Sequence, residues 1–175
     1  MPDSMYVISL EEILWGGFLM AITMAIHGFG MLLVLRVNNS VNKKLVSKKS
    51  LIIGMTPVIL ATCMILLVHL TEVMLWSGFF LWKGAFPNQS LAFYFSLNEY
   101  TTVGSAFSLP RHWRLLEGMI ATAGLLAFAW STGVLITLAQ KFQERQMELF
   151  QLRHHKKSSH GTVDHNKTSD HSNES

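Results

Sequence analysis

The residues best suited to chemistry form one short run, Tyr100-Thr101-Thr102-Val103-Gly104, continued by Ser105, Ala106 and Phe107. A threonine hydroxyl and successive backbone carbonyls aimed at an axis can replace the water around a cation, if an irregular loop holds them there. Glu99 stands just before the run, either bracing its backbone from behind or pairing with Arg111 or Arg114. A second set is ionisable and lies inside apolar sequence: His27, His69 and Glu72, the last two spaced to share one helix face. Three readings of that set stay open: a structural hydrogen-bonded cluster, a proton-responsive one, or a metal site for which His69 and Glu72 would need a third ligand. No metal ligand set and no cofactor are assigned, and the tail histidines His154, His155, His160, His165 and His171 are too irregularly spaced to define a site. No Ser-His-Asp or Cys-His arrangement, phosphate loop or dinucleotide fingerprint occurs, so neither an enzyme nor a small-molecule substrate is expected.

These residues need elements to position them. Half of the 175 residues are hydrophobic, which points to a membrane protein and away from an ordinary soluble domain. Three apolar runs, 13–35, 51–82 and 115–138, each reach the roughly 20 helical residues that cross a bilayer. The second is longer than needed, so its spanning part starts after Pro57 or is tilted. The start, MPDSMYVISLEE, is acidic where a signal peptide would be basic, so the first run is expected to be a retained helix following an extracytoplasmic stretch, 1–12. Trp15, Trp76 and Trp82, near run ends, read as interfacial anchors. Cys63 is the one cysteine, so no internal disulfide is available.

The net charge of +3 is unevenly spread: Arg36, Lys43, Lys44, Lys48 and Lys49 crowd the 36–50 loop, and Lys141, Arg145, Arg153, Lys156 and Lys157 follow the last run. The positive-inside bias puts both blocks in the cytoplasm and the 83–114 segment outside. Without interleaved aromatics they do not suggest nucleic acid. In the outer segment, 91–100 reads as an apolar helix too short to span, starting after the turn-forming Phe86-Pro87-Asn88-Gln89-Ser90, and a loop follows over 101–110. Such a helix between two spans is expected to be re-entrant, the alternative being a helix lying on the surface. Asn88-Gln89-Ser90 also matches a glycosylation acceptor, a pattern common by chance. Residues 139–157 continue as an amphipathic cytoplasmic helix, and 158–175 are too polar to order. Small residues recur every fourth position at Gly17, Ala21 and Ala25, at Ala123, Ala127 and Ser131, and at Ala129, Gly133 and Thr137, as helix contacts in lipid require. Gly124 and Gly133 are candidate hinges.

The module 51–138 resembles the two-helix pore of the bacterial potassium channel family, through Phe93-Tyr94-Phe95-Ser96-Leu97, Tyr100-Thr101-Thr102-Val103-Gly104, Trp113-Arg114-Leu115-Leu116-Glu117 and Phe128-Ala129-Trp130-Ser131-Thr132-Gly133. With His27-Gly28 and His69-Leu70-Thr71-Glu72, it is also similar to a small bacterial subgroup that carries an extra N-terminal helix. The resemblance implies an all-α membrane protein of three transmembrane helices, a re-entrant pore helix and a filter loop. It further implies a homotetramer in the bacterial inner membrane, with the N-terminus outside and the C-terminus cytoplasmic, passing a monovalent cation, potassium foremost. Thr101 to Ala106 would form the conduction filter, supported by Glu99, Tyr100 and Phe107. Where the family continues Tyr-Gly-Asp, this chain has Ser105, Ala106 and Phe107, so the inner half of the filter is kept and the outer half reshaped. Two other functions fit the same sequence: a non-conducting assembly subunit, and a proton- or metal-linked membrane protein working through His27, His69 and Glu72.

Overall fold

The computed structural model describes residues 9–45 and 51–170, with side chains over 9–43 and 55–151. The first eight residues, the end of the basic loop and the last five residues lie outside the described ones, as do the side chains of the tail histidines. The chain divides into two compact units, Met1–Leu135 and Ile136–Ser175. In the first, helix α1 covers Leu10–Leu45, α2 Leu51–Trp82 and the short α3 Gln89–Tyr100; after a 3-10 turn over Arg111–Trp113, α4 begins at Leu115. Three of these helices are long and apolar enough to cross a membrane, with spans at Leu10–Lys43, Met55–Trp82 and Arg111–Gln151. Leu10, Phe29, Leu66, Leu67 and Leu125 are among the many large apolar side chains left exposed, a surface suited to lipid.

The start of α1 is fixed by a capping box. Ser9 Oγ accepts the Glu12 amide at 3.1 Å and Glu12 Oε2 accepts the Ser9 amide at 3.0 Å. The helix therefore begins three residues before the apolar run. At its other end it continues past Leu35 through ten residues of the basic loop, where Ser40 bonds back to the Arg36 carbonyl. Pro57 lies inside α2, so the apolar run is one helix from Leu51 to Trp82. The second unit is helical from Ile136 to Asp170, and this includes 158–170, where composition alone suggests no order; once a helix is nucleated, each further residue adds a hydrogen bond as it is fixed.

Inside the first unit the contact face of α1 is Gly16, Leu19, Thr23, His27, Gly30 and Val34. Side chains of Met119 and Val68 fill the space that a Cβ at Gly16 or Gly30 would take. The Gly17, Ala21 and Ala25 stripe is exposed instead, and a Cβ at Gly17 would meet nothing within 4 Å, so that stripe does not pack on another span of its own chain. Trp76 is not an interfacial anchor either. It is fully buried and its Nε1 donates to Thr23 Oγ1 at 3.0 Å, tying α2 to α1. Around it Phe79, Phe80, Phe86, Phe95, Trp113, Leu116 and Ile120 close one core. Lys83, at the end of α2, lies over the rings of Trp15, Trp82 and Trp113 at 4.5, 4.8 and 5.0 Å and 3.6 Å from Glu11 Oε1.

Candidate functional site

The site grows from the way α3 returns along α2. Asn88 Oδ1 caps the helix by accepting the Leu91 amide at 2.9 Å, so the asparagine of the acceptor-like triplet starts a helix. Gln89 Nε2 donates to Ser77 Oγ at 3.0 Å. At the other end of α3, the Tyr100 hydroxyl donates to Glu72 Oε2, and His69 Nδ1 lies 2.9 Å from the same hydroxyl. From Ser77 back to His69, α2 covers about 12 Å at 1.5 Å per residue. Helix α3 thus descends from near one end of α2 to the middle of the Met55–Trp82 span. Gly124 gives the same depth on α4: a Cβ there would overlap the Tyr100 carbonyl oxygen and lie 2.9 Å from its carbon. Gly124 is therefore a close-approach position in an unbroken helix, while Gly133, within the same helix, is exposed.

Below α3 the chain turns sharply. The Val103 amide bonds to the Asn98 carbonyl at 3.0 Å and the Thr102 amide to that of Glu99 at 2.9 Å, the paired bonds of a Schellman cap. The left-handed position usually held by glycine is Thr102, with φ 61°, and Gly104 takes φ 79°. Gly104 bonds to the Asn98 carbonyl at 3.2 Å, and the Ser105 amide to Glu99 Oε1 at 2.9 Å. Every amide from Thr101 to Ser105 is thus turned toward the end of α3. The side chains of Thr102, Val103 and Ala106 are exposed, Val103 to 75%. Glu99 is seen bracing the loop; burial raises its carboxyl above the ordinary carboxylate range, the Ser105 amide works against that, and the Glu117 carboxylate adds to it. Glu117 Oε1 in turn accepts the Leu109 amide at 2.7 Å, holding the far side of the loop. Phe107 meets the Tyr94 ring edge-on at 6.4 Å, and its amide bonds to Ser105 Oγ at 3.1 Å.

His27, His69 and Glu72 also come together, and with two more members. His27 Nδ1 lies 2.9 Å from Glu72 Oε1, and His69 Nδ1 3.6 Å from Glu72 Oε2. On the other side of both imidazoles is Ser131 Oγ, 3.3 Å from His27 Nε2 and 3.1 Å from His69 Nε2. The result is a ring of contacts, Glu72–His27–Ser131–His69–Tyr100, drawing on α1, α2, α3 and α4. Glu72 and His27 are fully buried, and Trp130 and Phe128 pack on the imidazoles of His27 and His69 at 5.5 and 4.5 Å. By sequence position Tyr100 belongs with the loop and Ser131 with the small packing residues. The signal for Ser131 was a hydroxyl in the otherwise alanine stripe 123/127/131, all three of which are buried. For Tyr100 no local signal existed. No protein-family model, curated protein or solved structure matches this chain.

Proposed function

We propose that the chain is a channel subunit for monovalent cations, potassium foremost, in which four copies bring their Thr101–Gly104 loops around one passage. The observation that carries this reading is the depth of the loop. A helix too short to span ends level with the middle of a spanning one, and an exposed, irregular segment follows it. Irregular backbone at that depth is tolerated only when buried in protein or lining a wet cavity. With the amides of this segment occupied by α3 and Glu99, its carbonyls are the groups left to meet an ion, as a dehydrated cation requires. The exposure of Val103 in the single chain fits a segment completed by other copies. So does the second small stripe on α4, where Ala129 and Gly133 are exposed while Ala123, Ala127 and Ser131 are spent inside the chain. In this reading the protein lies in a bacterial inner membrane with the basic C-terminal helix in the cytoplasm.

The test is ion flux into liposomes carrying the purified full-length protein, measured separately for potassium and sodium. Flux that exceeds empty liposomes and falls on Gly104→Val supports the channel. Protein that is folded, inserted and silent in both ions is instead a non-conducting assembly subunit.

A further inference from the structure

The ring around Glu72 has a hydrogen-bonding problem that points beyond ion conduction. Ser131 has one hydroxyl proton and faces two imidazole Nε2 atoms, at 3.3 and 3.1 Å. If both histidines are neutral with the proton on Nδ1, both Nε2 atoms need a donor and Ser131 can serve only one. If both protons move to Nε2, Ser131 accepts from both through its two lone pairs. Both Nδ1 atoms then present lone pairs to the oxygens of Glu72 and Tyr100, at 2.9, 3.6 and 2.9 Å. With one proton on each kind of nitrogen Ser131 is satisfied, yet two neutral imidazoles, Ser131 and Tyr100 bring four protons to the five contacts of the ring, so one contact sets acceptor against acceptor in a buried space, and a cation among the Nδ1 and oxygen atoms would satisfy it.

We propose that His27 Nδ1, His69 Nδ1, a Glu72 carboxylate oxygen and the Tyr100 oxygen bind one divalent transition metal of the zinc type within each chain. The ligand atoms of His27, His69 and Glu72 all lie within 4.8 Å of one another. Neighbouring ligands on a tetrahedral zinc ion with bonds of about 2.0–2.1 Å are about 3.3 Å apart, and the observed separations lie on either side of that figure. Two imidazoles with two oxygens is a donor set that zinc accepts, and Ser131 stands behind the ligands, receiving the remote N–H of each histidine and fixing its orientation. The dication and the Glu72 carboxylate alone would leave one positive charge in an apolar interior. Loss of the Tyr100 proton on binding cancels it, so metal uptake releases about one proton per site. The site goes beyond the channel reading and stands even if the loop conducts nothing.

The experiment uses the full-length protein in detergent, stripped with a chelator and titrated with Co²⁺ and Zn²⁺. A companion variant has the five tail histidines, His154, His155, His160, His165 and His171, changed to alanine. Expected are one tightly held ion per chain in both proteins, the intense visible bands of four-coordinate cobalt, and displacement of cobalt by zinc. His27→Gln and Tyr100→Phe should each weaken binding tenfold or more, with proton release lost in Tyr100→Phe. Should a ligand variant fail to fold, the tail variant decides alone: four-coordinate bands in it support the site. Loss of uptake in the tail variant, or only the weak spectrum of six-coordinate cobalt, overturns the proposal and leaves the ring as a proton-sharing hydrogen-bond cluster.

Discussion

Replacing Gly124 by alanine tests the position of α3 most directly, because one methyl is added where the Tyr100 backbone already lies. The new Cβ would overlap the Tyr100 carbonyl oxygen, and it would lie 2.9 Å from the carbonyl carbon and 3.2 Å from Cγ. Backbone cannot rotate aside as the end of a side chain can, so α3 must lift away from α4. Overpacking of this kind costs about 1–3 kcal/mol. For a chain of this size each kcal/mol moves the melting temperature by about 2–4 °C, so Gly124→Ala should melt about 2–12 °C lower. The control is Gly17→Ala, where nothing lies within 4 Å of the added methyl. There the helix gains about 0.5–1 kcal/mol from the lower entropy of alanine in the unfolded chain, and melting should rise by a few degrees. Thermal unfolding of purified full-length protein in one detergent, followed by tryptophan fluorescence, reads both. The opposite signs are the result to look for. If Gly124→Ala melts at or above the parent, α4 does not approach the end of α3, and the depth assigned to the loop is wrong.

Two further outcomes separate the loop's stability from its use. Thr102 adopts the left-handed conformation that suits glycine, so Thr102→Gly should stabilise the chain by about 1 kcal/mol while reducing cation flux through loss of the hydroxyl; a lower melting temperature would contradict the turn as described. Glu99 keeps its proton to higher pH in the folded chain than its ordinary value of 4.5, so the folded state binds more protons just above that value and stability falls as pH rises through the window. Glu99→Gln should flatten that slope in melting curves taken across acidic pH, and an unchanged slope would mean that another group sets it.

Much of the frame was legible because it follows from local pattern. The three helices long and apolar enough to span were visible in hydropathy, and the short helix between the last two in its length and its preceding turn. Hydropathy alone starts the first helix at Ile13, and it is the Ser9–Glu12 capping box seen in the structure that moves its start to Leu10. What local pattern does not carry is the rotation of each helix about its own axis. The Gly17 stripe and the adjoining Gly16 face are both small-residue patterns, and only the neighbouring Met119 and Val68 decide which one is used. Trp76 looked like an anchor because it is near a run end, but Thr23, 53 positions away, draws it inside. Tyr100 and Ser131 joined the histidines for the same kind of reason: the packing of α3 and α4 against α2 brings together residues separated by 28 and 62 positions.

Glu12 sets an order on how the molecule is made. Its carboxylate accepts the Leu115 amide across 103 positions, so the beginning of α1 and that of α4 are fastened to each other. During synthesis α1 and α2 leave the ribosome first and can already join through Trp76 with Thr23 and His27 with Glu72. Until α4 arrives, that hairpin holds a half-formed polar centre and a carboxylate awaiting its distant amide. A chain shortened from the front would lose one side of the buried ring, the carboxylate that holds the start of α4, and one of the three helices long and apolar enough to cross a membrane.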